Sequence, residues 1–176
     1  PEIEYILPRI LIEISCRSLR EPFTHQKFGA LVDEVYLDED FAKPLFEVPS
    51  VNPERTFLEK LFLLHEEFHR STTKMRVDRL SRHLYDIYCL TKAGIAEKAI
   101  VDKELYETIV AHRYKYARVG EVNYNHHNPK TLNPTPLKEV IPEWKADYDI
   151  MKETMIYEDN KPTFEDLINN LNDLRT

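Results

Sequence analysis

Residues 63–70 read LLHEEFHR, and within them His65, Glu66 and His69 spell H-E-x-x-H. Two imidazoles four residues apart share one helix face, and a glutamate beside the first can act as a general base, so the spacing is competent for a zinc protease. The neighbours argue otherwise. A zinc-protease helix lies buried under a sheet and keeps uncharged residues around its ligands, whereas Glu67 sits inside this motif and Arg70 follows it. Zinc also needs a third protein ligand, and neither His83, His112, His126 nor His127 lies in a recognisable downstream signature. The preferred expectation is that His65 and His69 flank the apolar stripe of a surface helix, with the protease as a remote alternative.

Two neighbouring segments offer different chemistry. In PERTFLEKLFLLHEEFHR, Lys60 falls beside Phe57 and Leu64 on a helical wheel, so its stem packs while its ammonium reaches a groove. A local reading pairs it with Glu67. In DRLSRHLYDIYCL, Arg79, Arg82, His83 and Asp86 gather on one side through i, i+3 and i, i+4 spacing. The local reading there is an ordinary Arg82–Asp86 helix pair, worth about 0.3–0.5 kcal/mol. The alternative is one acid among several basic groups, beside a lysine from the adjacent helix, which is a set suited to binding phosphates.

The elements that must position these residues follow from pattern. Residues 9–15, RILIEIS, alternate with Ile10, Ile12 and Ile14 on one face, as a strand does. A short helix is expected around 29–36, and 45–51 reads as extended, with Pro49 at an edge or a strand end. From Asn52 the character turns helical: Asn52 is an N-cap, Pro53 suits the first position and Glu54 complements the dipole. Phe57, Leu61, Leu64 and Phe68 form the apolar stripe of this helix. Further helices are expected at about 78–91, ended by a left-handed Gly94, at 103–117, at 137–157, and after Thr163, where T-F-E-D resembles a capping box. Residues 118–136, rich in Asn and Pro, read as a loop.

Composition narrows the class. The chain has 176 residues, enough for one substantial core. Mean hydropathy is −0.51 and no run approaches a membrane span, so a soluble, cytoplasmic protein is expected. Two cysteines, Cys16 and Cys89, suit a reducing compartment. A net charge of −7 disfavours a non-specific nucleic-acid coat but permits a local basic stripe. Tyr114–Arg118 (YKYAR) and the Asn/His loop at 123–128 carry the aromatic and basic types that touch RNA, but a solvated helix end is the preferred reading of them.

Taken together, E-R-T-F-x-E-K-L-x-x-L-H at 54–65, S-R-H-x-Y-D at 81–86 and GIAEKAIVDKELYETIVAHR at 94–113 resemble the C-terminal half of the AbiEii/AbiGii nucleotidyltransferase toxins of bacterial abortive-infection toxin–antitoxin pairs. The resemblance runs from about Tyr5 to the final helix. It implies an α+β fold similar to polymerase-β-type nucleotidyltransferases: a few N-terminal strands, then a helical bundle. It further implies Mg2+ as cofactor, an NTP substrate, an acceptor such as a tRNA end, and a cognate antitoxin as partner. By position, Lys60 matches the family's lysine and Asp86 its aspartate, while Glu13 in LIEIS matches a strand-borne acid and metal ligand. Arg55, Arg82 and His83 would line the same nucleotide-binding cleft.

The chain departs from the family in lacking a Gly-Ser loop followed by a D-x-D or D-x-E strand. Asp38-Glu39-Asp40 follows no such pair and reads as an acidic turn. The expectation is therefore a piece of a longer protein, inactive alone, with 1–51 a remnant of the nucleotidyltransferase β region and 52–176 a helical C-terminal domain. The start at Pro1, with an apolar run at full strength, agrees with that reading. The rival class is a non-catalytic helical module that contacts an antitoxin.

Overall fold

The computed structural model describes residues 10–12, 14, 19 and 22–174. Two strands, β1 (Phe23–Phe28) and β2 (Phe46–Val51), pair antiparallel, with Phe23 opposite Val51 and Phe28 opposite Phe46. Between them lie a short helix, α1 (Leu31–Val35), and the exposed turn that carries Asp38–Asp40. Pro49 sits opposite His25 in the two-stranded sheet, where every strand is an edge and a missing N–H costs little. The strand expected at 9–15 is not seen in its described residues. Ile10, Leu11, Ile12 and Ile14 belong to no sheet and are exposed, because no described strand offers them a row of backbone partners. Arg9, Glu13 and Ser15 lie outside the described residues.

The core forms around α2 (Pro53–Phe68). Asn52 takes the extended conformation of an N-cap, but its side chain makes no capping bond; Pro53 at the helix start carries the entry. Phe57, Leu58, Leu61, Phe62, Leu64 and Phe68 are all buried. Arg55, His65, Glu66 and Glu67 are buried as well, so α2 is covered nearly all round. The expected surface helix is thus the central one, and Arg55, Glu66 and Glu67 face other elements rather than water.

The chain then builds a shell. The helix expected from Asp78 begins later, as α3 (Arg82–Lys92). Arg79 sits in the left-handed region (φ 59°), which interrupts helical progress. The Asp147 carboxylate holds this turn, accepting from Arg79 N (2.7 Å), Ser81 N (3.0 Å) and Ser81 Oγ (2.5 Å). Gly94, at φ 69°, ends α3 as its sequence implies and opens a separate α4 (Ile95–Val101). Next comes α5 (Lys103–Tyr116), capped by Asp102, which accepts from Leu105 N at 2.9 Å. Finally α6 (Ile141–Met155) and α7 (Phe164–Asp173) close the bundle, α7 behind a complete Thr163–Asp166 capping box. The 118–136 segment is a loop, as expected, and it packs onto the bundle through buried Val122, His127 and Leu132. The fold is α+β, two strands followed by helices, and no described helix is long and apolar enough to cross a membrane.

Candidate functional site

Successive residues of a helix turn by about 100°, so Lys60 and Arg55, five apart, point about 140° from each other. That angle divides the polar groups of α2 into two sets. On one side α2 meets α3. There Lys60 Nζ donates to Asp86 Oδ2 at 2.5 Å and approaches His83 Nδ1 at 3.4 Å. His83 Nδ1 stands 3.8 Å from Asp86 Oδ2, beyond hydrogen-bond reach. Lys60 and Asp86 keep 23% and 38% of their side-chain surface exposed, while His83 is nearly buried, so the cluster has a packed floor and an open face. Burial would push the Asp86 carboxyl up, but the His83 imidazole and the Lys60 ammonium outweigh it and hold the carboxyl below its ordinary value. Asp86 therefore stays ionised and Lys60 stays fixed.

The local pairings expected from spacing do not form. Glu67 takes Arg76 (Nη2–Oε2 2.7 Å) and Arg70 (3.2 Å) instead of Lys60, because α2 turns it towards the 70–76 connection. Arg82 is exposed in the first turn of α3, and Asp86 faces α2 rather than Arg82. Arg55 is not in the cluster. It is 3% exposed on the opposite side of α2 and pairs with Glu59 at 2.8 Å. Glu13 lies outside the described residues.

The second set is the inner face towards α5. Glu66 accepts two bonds from Arg113, at 2.7 and 2.6 Å, and a third from His127 Nε2 at 3.1 Å. Burial would raise its carboxyl, but Arg113 and His127 bring it below the ordinary value. The base that zinc chemistry would require is thus closed off. His65 is fully buried, and its Nδ1 accepts from Asn133 N at 2.9 Å. Burial, then the nearby His69 and His127, push its pKa down to about 3, so it is neutral. His69 Nδ1 donates to the His65 carbonyl at 2.7 Å. Among the described residues no group of three or more His, Cys, Asp and Glu is placed to hold a metal ion.

Sequence spacing did not reveal the Glu66–Arg113–His127 network. The available signal was that Glu66 shares a helix face with Phe62, which points inward. Asp147, which sets the turn before α3, has no local signal at all.

A family model described as "Nucleotidyl transferase AbiEii toxin, Type IV TA system" matches residues 2–170. No curated protein and no solved structure matches the chain.

Proposed function

Because the chain belongs to the AbiEii nucleotidyl transferase toxin family, we propose that its Lys60–His83–Asp86 cluster contacts the triphosphate of an NTP whose nucleotide is transferred to an RNA acceptor such as a tRNA end. The observation that supports this is the meeting of Lys60 Nζ and Asp86 Oδ2 at 2.5 Å, across two helices, on a surface still open to solvent. An ammonium has three N–H donors. Asp86 takes one, His83 is within reach of a second, and the third is free to face a phosphate oxygen.

In nucleotidyl transfer an acceptor hydroxyl forms a bond to the α-phosphorus as the bond to the bridging oxygen breaks and pyrophosphate leaves. Negative charge gathers on the leaving oxygens, and catalysis rests on positioned charge rather than covalent help. Lys60 supplies a compact cation for those oxygens. Asp86 acts through Lys60 as a positioning residue, and Arg82, four residues earlier on α3, extends the positive surface.

The cluster does not fit the divalent metal that the family resemblance implies. Its one carboxylate already holds an ammonium at 2.5 Å, and its imidazole faces the same cation. Magnesium prefers oxygen ligands, more than one of them from carboxylates or phosphates. The role assigned to these residues is therefore charge for the triphosphate and not metal ligation. The polymerase-β-like frame, with 1–51 belonging to its β region, completes the proposal; Glu13 would be its acid.

The test uses the full-length protein, radiolabelled NTPs and total RNA, beside growth inhibition on induction. Lys60→Ala and Asp86→Ala are each expected to lower label transfer by about a hundredfold or more, with an unchanged circular dichroism spectrum. Two folded variants that still label RNA and still arrest growth would remove the proposal and favour the antitoxin-binding module.

A further inference from the structure

A cleft of about 620 Å3 opens on the far side of α2 from Lys60, between α5 and the connection that follows it. Tyr106, Val110 and Tyr114 line it from α5; Tyr124, His127 and Asn128 line it from the connection. The rings are mutually arranged. Tyr124 lies flat on His127, with centroids 4.4 Å apart and planes within 3°, and Tyr114 meets Tyr124 edge-on at 5.7 Å. The Arg118 guanidinium stands 5.5 Å from the centre of the Tyr114 ring.

Three observations restrict the occupant. First, the walls are aromatic faces, which suit a flat ring. Second, the lining includes buried polar atoms without a partner: Nδ1 of His127, a residue only 3% exposed, and the Tyr106 hydroxyl. A purely aliphatic occupant would leave both unsatisfied, whereas a heterocycle with ring nitrogens and exocyclic groups can bond them. Third, charge reverses locally. Between residues 103 and 130, Arg113, Lys103 and Glu121 are paired with Glu66, Glu107 and Lys74, which leaves Lys115, Arg118 and Lys130 against Glu104, in a chain whose net charge is −7. A polyanion is attracted here and repelled by the rest of the surface.

We propose that this cleft receives an unstacked base of single-stranded RNA, laid against the exposed Tyr114 ring, while Arg118, Lys115 and Lys130 face its phosphates. Aromatic stacking with flanking cations is how proteins hold single strands without duplex geometry. This deepens the acceptor half of the reading above and rests on it only for the source of the RNA. The cleft and the Lys60 cluster lie on different sides of α2, so one strand could be anchored in the first while its end is presented elsewhere.

The experiment measures fluorescence anisotropy of fluorescein-labelled A6 and U6 RNA with the full chain, beside a hexamer carrying abasic sites. Tyr114 is 53% exposed, so its truncation leaves the core intact. Tyr114→Ala is expected to weaken binding about tenfold, the abasic hexamer to lose as much, and Tyr114→Phe to bind as wild type. Inorganic tripolyphosphate should compete poorly. No binding of either RNA, an abasic hexamer that binds equally well, or an unaffected Tyr114→Ala would each overturn the assignment. Lys60→Ala should bind RNA normally, so failure of the catalytic reading and failure of this one give different results.

Discussion

The two sides of α2 each carry an ion pair to a neighbouring helix, and they differ in what surrounds it. Towards α5, Glu66 and Arg113 expose 5% and 14% of their side chains, and every carboxylate bond is met by Arg113 or His127. Towards α3, Lys60 and Asp86 are open on one face, and the ammonium has donors to spare. A closed pair whose removal strands a buried charge serves the fold; a half-open pair that holds one cation in place leaves that cation able to meet a ligand. Charge alone therefore does not separate the two sides of α2, whereas access to solvent does.

The comparison can be broken most forcefully at Glu66. Glu66→Ala strands the Arg113 guanidinium and is expected to cost about 3–5 kcal/mol in urea unfolding. A cost near zero would mean that the network is not the structural pair described.

Acid sharpens the contrast. His65 stays neutral in the fold, with its pKa pushed down to about 3 from 6.5, so the unfolded chain takes up a proton that the folded chain refuses. Its contribution is fully present above pH 6.5 and shrinks as pH falls towards 3, by about 1.4 kcal/mol per pH unit. The depressed Glu66 and Asp86 carboxyls act with the same sign but lower down: their stabilisation is present above the ordinary carboxylate range and fades as pH falls through their folded values. Unfolding curves from pH 7 to pH 4 should therefore steepen in loss below 6.5, and His65→Gln should flatten that limb.

The smallest expected effect on stability lies at the open pair. Lys60→Met keeps the packed stem and removes a partly exposed charge, so unfolding should shift by no more than about 1 kcal/mol while nucleotide transfer is lost. A large stability loss there would make the two sides of α2 alike.

Much of the local structure was legible. Thr163 and Asp166 form the capping box their spacing announces, Gly94 takes the left-handed stop, and Pro53 opens α2, because each depends on backbone groups within a few residues. The convergence of Lys60 and Asp86 was expected from family resemblance and from the pairing of adjacent helices. Other expectations failed for tertiary reasons. Arg55 was grouped with Lys60 although the helix turns them apart. Glu67 was offered to Lys60, yet the 70–76 connection brings Arg70 and Arg76 to it. The 118–136 segment is the loop its composition implies, but nothing local announces that it supplies His127 to Glu66 and Asn133 to His65.

By itself, then, the amino-acid order determined where α2 and α7 start and where α3 stops, which residues form apolar stripes, and that a lysine and an aspartate sit on consecutive helices of this family. Those properties are set by contacts within one or two helical turns. Which carboxylate each cation meets was decided only by the packed bundle, since Lys60 and Asp86 are 26 positions apart, Glu66 and Arg113 47, and His65 and Asn133 68. A charged side chain attracts any opposite charge, and only the packing of α2 among its neighbours selects one.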